Sequence, residues 1–267
     1  MTLISSANFQ LSINYIHHLF SAGNEYSVHS PFVFNLLTQG IYKKNPDAVF
    51  TKIETIRKNL LHDKRELQVI DLGAGSSFDG LAKTRSIKTI AKNFAKAPSY
   101  CRLLYRITEY LKPSIMVELG TSLGISAMYQ SAGNPSGKLF TLEGCPETAM
   151  AAVENFEKNN FNTISCLTGN FNETLPILLN ELKVVDYAFI DGNHTYEATI
   201  NYFELFKKHC HENTVLVFDD INWSSGMKKA WAKIKSDPAV TISLDFFLVG
   251  IVFFNKGFSK QDFLLRL

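Results

Sequence analysis

Three carboxylates stand directly after two apolar runs that are typical of buried strands. Asp191 follows YAFI, and Asp219 and Asp220 follow VLVF. The carboxyl ends of adjacent parallel strands meet where open α/β sheets bind ligands. Oxygen ligands suit Mg²⁺ or Ca²⁺, so the sequence predicts a divalent-metal site formed by these three residues. The alternative is that they are ordinary strand-end carboxylates or helix caps.

A histidine close to these acids is the candidate catalytic base. His194 lies three residues after Asp191, and a histidine titrates near neutral pH, so its imidazole can accept a hydroxyl proton. The neighbouring Asn193 has no titratable proton acceptor. That leaves His194 or a metal-bound water to take the proton, and we assign the catalytic role to His194 together with Asp191. The alternative is a solvated or capping histidine.

A glycine-containing turn, VELGTSLG, follows an apolar run at Val117 to Gly124. It precedes a helix-compatible run, ISAMYQSA, and a second apolar run that ends in Glu143, 23 residues after Gly120. This order is typical of a nucleoside site whose acid accepts hydrogen bonds from both ribose hydroxyls. GTSLG lacks the middle glycine of GxGxxG, which permits close approach of a pyrophosphate. The turn therefore fits S-adenosylmethionine (SAM) better than NAD.

A second glycine segment, VIDLGAGS, spans Val69 to Ser76. Leu67 to Ile70 reads as a short strand before it, but no second strand is evident after it. No acidic residue occurs between Gly80 and Thr108. We interpret the Asp71–Ser76 loop as a structural turn, and the alternative is that it lines the substrate side of a pocket.

A basic, helix-compatible segment then runs from Leu81 to Leu111, with Lys88, Lys92 and Lys96 at helical i, i+4 spacing. Such a pattern indicates a solvated helix face. The alternative is a surface for an acidic substrate or a nucleic acid.

The composition is that of a globular protein, with 46% hydrophobic and 19% charged residues among 267. A net charge of +2 argues against nucleic-acid binding by bulk electrostatics. There is neither a run of about 18 apolar residues nor a basic, apolar leader, so no membrane partner and a cytoplasmic location are expected. The four cysteines show no metal or redox spacing. A homodimer is compatible with these features.

Beyond Pro113 short apolar runs alternate with helical stretches, which indicates βαβ units and a parallel sheet. The five predicted parallel strands are Ile115–Leu119, Leu139–Glu143, Thr163–Leu167, Val184–Ile190 and Thr214–Phe218. Two final runs, Val240–Phe247 and Gly250–Asn255, are joined too tightly for a helical crossover and must pair antiparallel. The predicted fold is a doubly wound α/β domain at residues 112–267. Its mostly parallel, seven-stranded sheet ends in an antiparallel C-terminal hairpin. Residues 1–111 form a mainly helical cap that contributes to substrate binding.

Four segments in this order and spacing, ELGTSLGISA, FTLEGCPETA, FIDGNHTYE and FDDINW, resemble the motifs of class I SAM-dependent methyltransferases. Within that class the chain is similar to small-molecule O-methyltransferases related to catechol O-methyltransferase and to metal-dependent sugar and antibiotic O-methyltransferases. The resemblance runs from Glu118 to Gly226. It implies O-methylation of a small hydroxylated acceptor with assistance from a divalent metal.

The resemblance also implies a cofactor site. Glu118 and Gly120 would lie against the methionine portion, and Ser126 would reach its carboxylate from the helix start. Glu143 would bind the ribose, and Asn170 stands where the family has an adenine contact. Asp191 would face both the methyl group and the metal. Loop residues complete the expected cofactor-binding set: Thr121, Ser122, Gly124 and Gly144.

One departure from the family concerns the base. Catechol-type enzymes have a lysine three residues after the fourth-strand aspartate, and some sugar enzymes have an aspartate two residues after it. Here these positions hold His194 and Asn193. Two alternatives therefore stay open: a non-catalytic SAM-binding protein on the same fold, and an NAD-linked oxidoreductase, which the glycine pattern disfavours.

Overall fold

A computed structural model describes residues 6–70 and 83–267, with side-chain surroundings from residue 11 onward. Its α-helices are α1 (Ser6–Ser21), α2 (Pro31–Asn35), α3 (Thr51–Leu60), α4 (Ile87–Asn93), α5 (Pro98–Leu111), α6 (Ile125–Gly133), α7 (Pro146–Lys158), α8 (Phe171–Leu182), α9 (Tyr196–Lys207) and α10 (Ser225–Ser236). Its strands are β1 (Glu66–Val69), β2 (Lys83–Ser86), β3 (Ile115–Leu119), β4 (Lys138–Glu143), β5 (Ile164–Thr168), β6 (Val185–Ile190), β7 (Cys210–Phe218), β8 (Ile242–Asp245), β9 (Gly250–Phe253) and β10 (Gln261–Leu264). Shorter helical turns occur at Glu25–Ser27, Leu36–Ile41 and Asp47–Phe50.

The central sheet has the strand order β10-β8-β9-β7-β6-β3-β4-β5. Neighbours among β3 to β7 pair in parallel, and β9 pairs antiparallel with both β7 and β8. The α/β fold with a mostly parallel sheet and an antiparallel C-terminal pair is thereby confirmed. The helical stretches predicted between and after the parallel strands are present as α6 to α10.

The sheet has one strand more than the sequence predicted. Strand β10 pairs in parallel with β8 at the sheet edge, with Gln261 opposite Ile242. Its side chains alternate between half-buried and exposed, and only Phe263 and Leu264 are apolar. An edge strand needs so little apolar surface that its sequence pattern is weak.

Each strand of the sheet core places successive side chains in different hydrophobic clusters, one on each face. Met116 belongs to a cluster with residues of α3, α5 and α6, whereas the adjacent Val117 belongs to a cluster with α8, α9 and α10. This alternation follows from the two-residue period of a strand. Burial of both faces explains why these strands appear in the sequence as continuous apolar runs.

The N-terminal segment fills one face of the sheet. Leu36, Ile53 and Leu104 are buried in the same cluster as strand residues Tyr187 and Ile251. The division into residues 1–111 and 112–267 stays a prediction. Any cap formed by the first segment is continuous with the sheet core.

The basic segment differs from its predicted continuous helix. Lys83–Ser86 forms β2, which pairs antiparallel with β1, so a second strand does follow the Asp71–Ser76 segment. The hydroxyl of Ser86 accepts a hydrogen bond from the Thr89 amide and thereby caps α4. Helix α5 begins at Pro98, and Ala97 before it is extended with ψ 148°, because a residue before proline avoids the helical region. The Asp71–Ser76 loop lies outside the described residues.

Within the described ranges, no helix is both long enough and apolar enough to cross a membrane.

We predict that Gly133→Ala destabilises the protein by about 1–3 kcal/mol, because a Cβ at Gly133 would lie 2.1 Å from Thr108 Oγ1 and 2.4 Å from the Tyr105 carbonyl oxygen, where α6 crosses α5. Urea unfolding at equilibrium measures the effect. Gly226→Ala is the matched control, since its Cβ would meet no atom closer than 3.6 Å on α10. Equal stability of the two variants would contradict close contact between α5 and α6.

Candidate active site

The last hydrogen bonds of the sheet position two of the predicted acids. The Asp191 amide donates to the Leu119 carbonyl across β6 and β3, and the Asp219 amide donates to the Ile190 carbonyl across β7 and β6, each at 3.0 Å. Both residues therefore lie at the carboxyl edge of adjacent parallel strands. The sheet therefore fixes the backbone of both residues independently of their side-chain contacts.

The glycine turn after β3 lies directly against Asp191. Gly120 has φ +99°, and a Cβ at this position would lie 2.1 Å from the Asp191 carbonyl oxygen. Only a residue without a side chain allows this approach. The sequence-predicted turn and the sequence-predicted acid are therefore brought together by one main-chain contact.

Glu143, at the end of β4, binds the same turn from its other side. Its Oε2 accepts from the Ser122 amide at 2.8 Å, and its Oε1 accepts from the Cys145 amide at 3.0 Å. Gly144 lies between Glu143 and Cys145, in the short turn closed by the second of these hydrogen bonds. The acid expected to bind a ribose is thus held beside the glycine turn, at the edge where the strands end.

Glu118 is completely buried beneath the turn. Its carboxylate accepts from Gln130 Nε2 and Thr141 Oγ1, each at 2.6 Å, and also bonds with Ser126. Burial raises the pKa of Glu118 to about 7, although these hydrogen bonds oppose the shift. In this arrangement Glu118 and Ser126 bind each other and support the turn. A contact between either one and a ligand requires these bonds to open.

Two further predicted cofactor residues have partners within the fold. The hydroxyls of Thr121 and Thr141 lie 2.7 Å apart in the protein interior. The Asn170 side chain accepts from the Asn172 amide at 2.9 Å and caps α8. Gly124, with φ +84°, precedes the first residue of α6.

The strand-end acids and His194 lie near one another in an acidic cluster at this edge, and the grouping that could hold a metal contains His194 in place of the predicted Asp220. His194 Nε2 lies 3.4 Å from Asp191 Oδ1 and 3.8 Å from Asp220 Oδ2. Ligand atoms of Asp191, His194 and Asp219 all lie within 4.8 Å of one another, a grouping that could hold a metal ion. Although burial opposes the charged imidazolium, the neighbouring Asp191 raises the pKa of His194.

The sequence did not predict that a lysine would lie inside this cluster. Lys96 Nζ is 3.0 Å from Asp191 Oδ1 and also contacts Asp219 Oδ2. Lys96 does not share a helix with Lys88 and Lys92, because it lies in the linker at residues 94–97 that separates α4 from α5. Lys88 and Lys92 stay on the exposed surface, as predicted for a solvated face. The signal available in the sequence was Pro98, which ends the helical pattern just after Lys96.

The charged groups of the cluster shift one another's pKa values. Burial opposes the charged form of Lys96, but Asp191 and Asp219 raise its pKa, so its ammonium stays protonated. Burial and the nearby Asp191 raise the pKa of Asp219, whereas Lys96 and His194 hold the pKa of Asp191 low against its own burial. Asp219 Oδ1 is buried without a hydrogen-bond partner among the residues that the structure describes.

Left-handed backbone conformations concentrate around the cluster. Ser122, Asn193, Asp220 and Phe247 have φ of 49°, 48°, 54° and 72°. Asparagine and aspartate tolerate this region, but a bulky phenylalanine rarely occupies it. Phe247 is held there by its amide, which donates to Asp245 Oδ1, and by its carbonyl, which accepts from Asn222. Such conformations are often found at ligand sites.

A cavity of about 330 Å³ lies between α1 and the β8–β9 turn. Its walls include Leu11, Tyr15, Tyr100, Phe247 and Leu248. Burial raises the pKa of Tyr100, and the charges of Asp219 and Asp220 raise it further. Tyr100 therefore lies both in the cavity wall and within the field of the acidic cluster.

A sequence model of a family described as a methyltransferase domain matches residues 117–221. The match begins in β3 and ends just after Asp220, so it contains the glycine turn, Glu143 and the acidic cluster. The resemblance to methyltransferases seen in the motifs is confirmed.

Solved structures share the fold of the methyltransferase domain and its flanks. An O-methyltransferase from Bacillus cereus in complex with SAH is 19% identical, with a TM-score of 0.55 over 83% of this chain and 95% of that chain. The O-methyltransferase TomG from Streptomyces achromogenes, in complex with SAM, is 15% identical, with a TM-score of 0.54 over 84% and 95%. An SAH-bound methyltransferase from Podospora anserina is 14% identical, with a TM-score of 0.56 over 95% and 99%. At these identities the similarity establishes the fold alone.

A curated relative, the uncharacterized protein R132 of Acanthamoeba polyphaga mimivirus, is 32% identical over 135 residues. The matched region covers 45% of this chain and 59% of that protein.

We predict that Glu118→Gln flattens the pH dependence of unfolding. The folded-state pKa of about 7 lies above the ordinary 4.5, so the folded protein holds a proton that the unfolded chain has lost. The free energy of unfolding of the wild type therefore falls as pH rises from about 4.5 to 7, by at most about 3 kcal/mol.

Urea unfolding at several pH values between 4.5 and 7.5 measures this slope. Glu157→Gln, at an exposed position of α7, controls for the loss of one charge. A slope that is the same in the wild type and in Glu118→Gln would contradict a buried, proton-binding Glu118.

Proposed function

We propose that this protein is a SAM-dependent O-methyltransferase that acts on a small hydroxylated molecule. The observation that carries the proposal is the contact between the glycine turn and the acidic cluster, where Gly120 lies against the main chain of Asp191. A cofactor bound in the turn would lie beside an acceptor bound at the cluster. The methyltransferase domain at residues 117–221 supports the same assignment.

The residues around the turn fit SAM. Glu143 is held by two amides at the end of β4, where a strand-end carboxylate can accept hydrogen bonds from ribose hydroxyls. The turn leads into the N-terminus of α6, which favours a carboxylate such as that of the methionine moiety. The similar structures from Bacillus cereus and Streptomyces achromogenes were solved with SAH and SAM, which supports the cofactor class.

In the proposed reaction the acceptor oxygen attacks the methyl carbon of SAM. An oxygen–carbon bond forms as the sulfur–carbon bond breaks, and the electron pair of the broken bond stays on sulfur, which yields SAH. The hydroxyl proton passes to the neutral imidazole of His194. Alignment of the acceptor oxygen with the methyl group supplies much of the rate.

The cavity beside Tyr100 fits the rest of the acceptor. Its aromatic and aliphatic walls favour an apolar or aromatic body, and the charges of Asp219 and Asp220 raise the pKa of Tyr100 in its wall. The proposed acceptor is therefore a small molecule with an apolar framework and a hydroxyl group. Pockets of this kind bind ligands through apolar walls and a few polar groups.

We predict that Glu143→Ala weakens SAH binding by about 1–3 kcal/mol, or roughly 5- to 150-fold, because the ribose loses a buried hydrogen-bond partner. Isothermal titration of the full chain with SAH measures the change. Glu157→Ala, on the exposed face of α7, is the matched control and should bind like the wild type.

A second titration, with NAD, tests the alternative of an NAD-linked oxidoreductase. We expect no NAD binding. Unchanged SAH affinity in Glu143→Ala would place the cofactor elsewhere. SAH binding without SAH production from SAM, over a panel of phenols, catechols and sugars, would identify a non-catalytic SAM-binding protein.

We predict that Leu11→Trp lowers kcat/KM for the best acceptor of that panel on the order of tenfold while SAH affinity is unchanged, because the indole fills the cavity. Ile16→Trp is the matched control: Ile16 is half exposed on α1 and is not part of the cavity wall. Equal effects of the two tryptophans would show that the acceptor binds outside this cavity.

A further inference from the structure

We infer that the ammonium of Lys96 is the resident cation of the Asp191–Asp219 cluster and binds the acceptor oxygen there, so that methyl transfer by this protein needs no divalent metal. The inference deepens the proposed function and rests on it for the catalytic step. It departs from the metal site that the sequence predicts at Asp191, Asp219 and Asp220.

The position of the ammonium is the first argument. It lies between two carboxylates of the cluster, 3.0 Å from Asp191 Oδ1 and in contact with Asp219 Oδ2. A Mg²⁺ ion bound to the same two oxygens would lie 2.0–2.1 Å from each of them. The ammonium and the ion would then be in contact, and two like charges at that distance repel strongly. Each cation therefore excludes the other.

The attachment of Lys96 is the second argument. Its carbonyl accepts from Arg57 Nη1 at 2.7 Å, and the buried Arg57 is itself bound to Glu54 at 3.1 Å. The adjoining Ala97 is restricted by Pro98. The lysine backbone is thus fixed between α4 and α5, next to the cluster. A tethered ammonium has a high effective concentration at its site and competes well with a free ion.

The departure from the family at the fourth strand is the third argument. The position where catechol-type enzymes have a lysine is His194 in this chain. Lys96 brings an ammonium to the same aspartate, Asp191, from the N-terminal segment. Once the hydroxyl proton has left, a fixed ammonium stabilises the negative charge on the acceptor oxygen, and a single donor of this kind contributes about 10²–10³ to a rate.

Metal binding tests the inference without any acceptor. Mn²⁺ alone is titrated into the wild type, Lys96→Met and Lys92→Met, and binding is followed by the loss of the free-ion electron paramagnetic resonance signal. The wild type and the exposed-lysine control Lys92→Met should not bind at submillimolar Mn²⁺, and Lys96→Met should bind at least about tenfold more tightly. Tight Mn²⁺ binding by the wild type, or equal affinity in all three proteins, would overturn the inference.

Turnover tests the catalytic step. Methylation of the best acceptor by the wild type should be unchanged in EDTA, whereas Lys96→Met should lose on the order of 100-fold or more and Lys96→Arg should recover part of the loss. Abolition of wild-type turnover by EDTA, with restoration by Mg²⁺, would overturn the inference. SAH binding identifies folded variants, and the wild-type measurements decide the question if Lys96→Met does not fold. If no acceptor or SAH binding is found, the proposed function fails, while the Mn²⁺ titration still decides which cation the cluster holds.

Discussion

The close approach of two main chains at the carboxyl edge of the sheet underlies the whole site. Gly120 and Asp191 directly follow the neighbouring parallel strands β3 and β6. Because Gly120 has no side chain, the Asp191 carbonyl oxygen can occupy the space that a Cβ would fill. Since the Asp191 amide is bound to Leu119, the turn after β3 and the acid after β6 cannot move independently. The glycine turn and the acidic cluster therefore form one rigid unit, and β7 adds Asp219 to it through the next hydrogen bond of the ladder.

The acids of this unit are buried, which makes their charge balance a structural requirement. Asp219 is about 1% exposed and Asp191 only partly accessible, and isolated charges in such places are strongly unfavourable unless paired. Lys96 supplies a positive charge, and the partly buried His194 supplies another when protonated. The same contacts that make burial of the acids tolerable also shift the pKa values of Asp191, Asp219 and His194.

Much of this arrangement could be predicted from the sequence, because each part had a local signal. The parallel strands appeared as apolar runs. Gly120, Glu143 and Asp191 each stand at the end of such a run, so parallel pairing brings them to one edge of the sheet. The position of Lys96 had a weaker signal: its helical spacing with Lys88 and Lys92 indicated a solvated face, and Pro98 marked only the end of the helical pattern. The contact of Lys96 with Asp191 is distant in sequence and had no local signal. Strands β2 and β10 were missed for a related reason, since both are short, have few or no apolar residues and are held by pairing with β1 and β8.

The contact between Lys96 and the acids crosses the boundary of the region that the methyltransferase-domain model matches. The matched region begins at residue 117 and contains Asp191, Asp219 and Asp220, whereas the balancing lysine belongs to the linker before α5. In evolutionary terms, the helices ahead of the domain cannot be exchanged freely between relatives. A recombinant that combined the matched region with a leading segment lacking this lysine would keep the residues that the family model matches, yet it would bury two acids without their counter-ion.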